Sequence, residues 1–184
     1  MSDKFDEFVK KQIESSEADS GGLSLEREKA IWLEKLEQLY SLVRQSLSKY
    51  LGDGSIRLEF SDITLQEEQL GSYTVKEAHV AMGRQVVKLT PLGTFLLGAR
   101  GRVDMTGPRG IARFVVVPPG ARAPQVIITA AVLGATAPPA PPIKSKTAAP
   151  ETWVWKIATQ PPRVTYVELT EESFREALMK VVNG

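Results

Sequence analysis

Cysteine is absent from the 184 residues, and histidine occurs once, as His79. The first absence removes thiol nucleophiles, thiolate metal centres, iron–sulfur clusters and disulfides. The second removes the usual zinc sets, which draw on several His or Cys side chains. Long apolar runs are missing too. The longest nearly unbroken one, residues 126–133, falls far short of the roughly 20 residues a membrane span needs. Residues 1–12, MSDKFDEFVKKQ, contain no continuous apolar stretch of the kind a secretory leader carries. A cytoplasmic setting is expected, without a membrane partner. No Gly-x-Ser-x-Gly nucleophile elbow and no Gly-Lys-Ser/Thr phosphate loop is present. The glycines at Gly98 and Gly101 precede no helix, so they read as turn or bulge residues.

What is present suits one globular domain of this length. Hydrophobic residues make up 42% and charged residues 24%, enough for a core without a metal or covalent staple. The net charge of +1 hides an asymmetry. Residues 1–70 hold 9 Lys/Arg against 15 Asp/Glu, a net of −6; residues 71–184 hold 14 against 7, a net of +7. Solvated helices tolerate Glu, and the two halves attract each other. The other reading is a basic sheet face that receives an anionic partner.

The apolar rhythm divides the chain. Phe5, Phe8, Val9 and Ile13 have helical spacing after a Ser2 cap, and the polar, glycine-bearing residues 15–24 form a joint. Residues 1–23 are therefore a short helix and flexible joint. Residues 24–184 are a single α+β domain. Its long helix starts at Ser24, buries Trp32, Leu36, Leu39, Tyr40, Val43, Leu47, Tyr50 and Leu51, and stops at Gly52 in the left-handed position.

From Ser55 the period becomes two. Ile56, Leu58 and Phe60 alternate with Arg57 and Glu59, and a parity slip at Ser61-Asp62 calls for a bulge or turn. Strands are expected over residues 73–82, 86–89, 92–97, 102–117 as a hairpin, 125–133, 153–157 and 164–168. In the hairpin, Gly107-Pro108-Arg109-Gly110 has proline and glycine where a type I turn wants them. The register that best separates apolar from charged sets Val103 against Phe114, Met105 against Ala112, and Asp104 against Arg113. Eight of the 12 prolines lie in residues 118–150, and residues 134–151 form a Pro/Ala-rich loop. Thr170 caps a last helix, with Leu169 and Phe174 in the staple positions. The whole predicts an antiparallel meander of about seven to nine strands, one face covered by the long N-terminal helix and the C-terminal helix.

Catalytic side chains are sparse, and no cofactor or metal site emerges. The leading expectation is a non-catalytic interaction protein of the bacterial cytoplasm. It would use a basic sheet face carrying Arg100, Arg102, Arg109 and Arg113 to bind an acidic protein surface. A second class is a small-ligand carrier or enzyme, with a cavity between sheet and long helix lined by Tyr40, His79, Trp153 and Trp155. A third is nucleic-acid binding by the basic set Lys76, Arg84, Lys88, Arg100, Arg102, Arg109, Arg113 and Arg122. It lacks stacking aromatics, since Phe95 and Phe114 read as core.

Overall fold

A computed structural model describes residues 22–94, 99–124 and 149–184. Helix α1, Gly22–Ser46, begins two residues before the expected cap. Trp32, Leu36, Leu39, Tyr40, Val43 and Leu47 recur at helical spacing, and all six are buried. The helix breaks at Leu47, and a short helix α2 follows, Ser48–Gly52. Tyr50 is exposed there. Gly52 belongs to α2, and the positive φ falls on Gly54 instead, at 78°. Arg175 of the last helix donates to the Ser46 carbonyl at 3.0 Å, supplying a donor where the α1 ladder ends.

Seven antiparallel strands follow in simple meander order: β1 Ile56–Glu67, β2 Gly71–Met82, β3 Gln85–Gly93, β4 Arg102–Gly107, β5 Gly110–Val117, β6 Val154–Ala158 and β7 Tyr166–Glu168. Helix α3, Glu171–Asn183, closes the chain. The class is α+β, with an open sheet between edge strands β1 and β7, and α1 and α3 packed on one face.

The parity slip in β1 is real, but it involves no bulge. β1 and β2 stay in register from Ile56↔Met82 to Glu67↔Gly71. Both strands change face together, at Ser61↔Glu77 and Asp62↔Lys76. The reason lies in β3, which pairs with β2 only from Ala78 onward. Beyond that point β1 and β2 form a two-stranded ribbon, which twists more than a wider sheet. The ribbon turns Ile63, Leu65, Tyr73 and Val75 toward the core. An ion pair between Lys76 and Asp62, 2.5 Å, sits at the crossover.

β3 runs through Pro91 rather than starting after it. The ring causes no break because β2 no longer pairs with β3 there; Pro91 lies opposite Val103 beside a register shift. Of the strand expected over 92–97, residues 92 and 93 belong to β3 and 95–97 lie outside the described residues, as do the strand expected over 125–133, residues 1–21 and most of the 134–151 loop. The β4–β5 hairpin has the expected register, Val103↔Phe114, Asp104↔Arg113 and Met105↔Ala112. Beyond Arg102 it bulges. Arg100 N–H donates to the Val116 carbonyl and Val116 N–H donates to that of Gly101, both at 2.9 Å, so two residues oppose one. Gly101 is required here, because a Cβ would lie 2.3 Å from the Trp32 ring.

One core joins α1, α3 and the inner face of the sheet, from Trp153 and Trp155 to Phe174 and Val181. A smaller cluster of Ala99, Val115 and Val117 lies on the opposite face, with Ala121, Ala158 and Tyr166 packed against it.

Candidate functional site

Alternation along the strands puts Val103 and Met105 under the helices, and Arg102 and Asp104 on the other face. Among the described residues no helix covers that face. Arg102 and Asp104, two apart on one strand, form a fork: Nε to Oδ1 and Nη2 to Oδ2, each 2.6 Å. The hydrogen bonds to Asp104 hold the Arg102 proton more firmly than usual. Arg113 lies directly opposite Asp104. The carboxylate nevertheless turns to Arg102, and the buried Nε of Arg113 has no hydrogen-bond partner among the described residues. Lys88, opposite His79 and Thr106, is exposed on the same face, together with Val86 and Ile111.

Beside this group sit Ser61, Glu77, His79 and Thr90. Glu77 accepts from the Thr90 hydroxyl at 2.5 Å, and its other oxygen is 2.8 Å from His79 Nε2. Ser61 Oγ is 3.1 Å from the same Nε2. A serine–histidine–acid relay needs the acid on one ring nitrogen and the serine on the other. Here both use one nitrogen, so the geometry does not activate Ser61.

The four sequence-expected arginines do not share a surface. Arg102 and Arg113 lie on the helix-free face. The bulge turns Arg100 to the helix side, where it pairs with Glu28 and lies over the Trp153 ring, 5.1 Å from its centroid. Alternation alone would have put it beside Arg102. Arg109 occupies the β4–β5 turn, and its backbone N–H donates to the Val181 carbonyl at 2.8 Å, near the end of α3.

The second set is also divided. Tyr40, Trp153 and Trp155 are buried on the helix side, while His79 is on the opposite face. Trp155 Nε1 donates to the Lys35 carbonyl at 2.7 Å, and its ring meets Trp32 at 6.1 Å. Tyr40 donates to the Lys76 carbonyl; burial first, then the charges of Glu77 and Glu37, push its phenol well above the ordinary range. Phe114 is fully buried, and Phe95 lies outside the described residues.

Two features escaped the sequence reading. Glu67 accepts from the Tyr73 hydroxyl and, at 2.9 Å each, from Thr94 N–H and Oγ1. Gly93 makes room for it, with φ at 121° and a position where a Cβ would lie 2.8 Å from the carboxyl carbon. No local pattern joins residues so far apart in sequence. The other is a groove of about 540 Å³ between the end of α1, the start of β1 and α3. Leu47, Tyr50, Ile56, Met82 and Met179 line it, with Glu172 and Glu176 alongside. Their residue types mark them as apolar, but they come from segments far apart in sequence, so no local pattern shows that they share a groove.

Among the described residues no helix is long and apolar enough to cross a membrane. No group of three or more metal-binding side chains gathers among them either. No family model matches the chain, and no curated protein or solved structure shows significant similarity to it.

Proposed function

We propose that this chain is a non-catalytic interaction protein of the bacterial cytoplasm that receives an acidic protein segment on the helix-free face of its sheet. One observation carries this reading. The carboxylate opposite Arg113 is committed to Arg102, leaving the Arg113 guanidinium without a carboxylate partner among the described residues. A buried, unsatisfied donor costs about 1–3 kcal/mol unless something accepts from it. The Nε itself is closed to a partner, but the side chain as a whole is only half-buried, so an incoming carboxylate would pair with its charge, and Lys88 adds a second cation nearby. Val86 and Ile111 supply apolar area, as protein interfaces do. The nucleic-acid alternative has less support, because Phe114 is core and offers no base a stacking partner. The cytoplasmic setting rests on the sequence alone, with its lack of cysteine.

The contact surface is therefore narrower than four arginines: Arg113, Lys88 and the Arg102 fork. Fluorescence anisotropy with a labelled glutamate-rich peptide tests it. Binding should weaken as salt rises, since Coulomb attraction at a surface is screened. Arg113→Glu with Lys88→Glu should abolish it, whereas Arg109→Glu should not. Equal binding by the double variant, or tighter binding of a single-stranded oligonucleotide, would sink the reading.

A further inference from the structure

We propose that two copies of this chain pair antiparallel along β1, with a two-fold axis at Leu58, joining two seven-stranded sheets into one. β1 is the first strand of the sheet, and among the described residues no strand lies along its outer edge. Such an edge is a template for another strand. Directly opposed residues in an antiparallel pair share a face. A two-fold axis normal to the sheet must therefore pass through a residue facing its own copy.

With the axis at Leu58, Ile56 faces Phe60 of the second copy and Arg57 faces its Glu59, each twice by symmetry. On the helix side, Ile56, Leu58 and Phe60 form an apolar row with their counterparts. In the single chain each is packed on the core yet only partly buried, as edge residues are. On the other side, two Arg–Glu pairs form. Among the described residues neither the Arg57 nor the Glu59 side chain has an ion-pair or hydrogen-bond partner. Neighbouring axes are worse. An axis at Arg57 or Glu59 sets like charges face to face. One at Phe60 sets Leu58 against Asp62 and Arg57 against Ile63. One at Ser61 sets Glu59 against Ile63. Only the axis at Leu58 matches both faces in this part of the strand.

Sedimentation velocity on the full chain, over a concentration series reaching the millimolar range, is the test. The unmodified protein should show a monomer–dimer equilibrium. Glu59→Arg turns both ion pairs into like-charge contacts and should raise the dimer Kd roughly tenfold or more. Arg57→Glu combined with Glu59→Arg restores the complementarity and should restore the dimer. Both positions are exposed, so these variants should keep the fold. Because the chain has no cysteine, Leu58→Cys reports register directly. Mild oxidation should give a disulfide-linked dimer, and Thr64→Cys should not. A monomer throughout the series, a dimer indifferent to Glu59→Arg, or one that the charge swap fails to rescue would overturn the proposal.

Discussion

Tyr40 carries its phenol into the layer between α1 and β1. There it donates to the Lys76 carbonyl and meets the edge of the Phe60 ring at 5.2 Å. A buried phenolate has neither water nor a cation to stabilise it, so the hydroxyl keeps its proton beyond the ordinary range. Tyr73 behaves alike, first through desolvation and then through its hydrogen bond to Glu67. The consequence for stability has a definite sign. Below about pH 10 the phenols are neutral in both folded and unfolded chains, and the stability is full. Above it the unfolded chain releases protons that the folded chain retains, so stability falls as pH rises. Chemical denaturation across this range should show a falling midpoint, and Tyr40→Phe should flatten the fall. The same variant should lose about 1 kcal/mol at neutral pH, the worth of one hydrogen bond. Parallel pH curves for the two proteins would mean that Tyr40 ionises freely in the fold. Helical spacing identified Tyr40 as a buried residue. Its acceptor, 36 positions away, had no sequence signal, because a backbone carbonyl looks the same in every residue.

Among the elements, α3 is the most completely specified by local chemistry. Thr170 Oγ1 accepts from Ser173 N–H at 3.1 Å, and Ser173 Oγ accepts from Thr170 N–H at 2.9 Å, closing a reciprocal box. Glu171 and Glu172 lie in the first turn and Lys180 in the last, matching the helix dipole. Phe174, Ala177, Leu178 and Val181 are the buried face. Thr170→Ala should cost about 1 kcal/mol in a denaturation midpoint, and Thr170→Asp should recover most of it. If both variants matched the parent, the box would be idle and packing alone would hold the helix end. The cap was readable because threonine and its partner are three residues apart. The β4–β5 register was readable for a similar reason: the turn and both faces lie within one short segment. Gly101 was readable as a turn or bulge glycine, and the bulge lies there; that it turns Arg100 to the helix side was not, because the Trp32 ring packed against Gly101 belongs to a distant helix. That one displaced residue is what separates Arg100 from Arg102, and so divides the arginine surface that alternation predicted.

Across the whole molecule, a single cluster runs from Trp32 and Trp155 at one end of α1 to Leu47 and Leu178 at the other. The charge asymmetry of the sequence is expressed at its margins, where acidic and basic halves meet in pairs such as Glu28–Arg100 and Asp62–Lys76. The exposed Asp62–Lys76 pair contributes about 0–1 kcal/mol and the half-buried Glu28–Arg100 pair little more, so burial rather than charge binds the halves together. Without a second core of comparable size among the described residues, neither half has a way to stay folded while the other melts. The three tryptophans report on the Trp32–Trp155 end, since Trp153 lies in the same cluster. Far-ultraviolet circular dichroism reports mainly on the helices, including the α1–α3 contact near Leu47. In a denaturant titration the two signals should therefore trace one transition with one midpoint. A tryptophan transition that precedes the loss of helix would show the β6 end opening by itself. The cluster would then be two cores in contact, and Phe114 against Phe174, at 6.1 Å, would mark the seam between them.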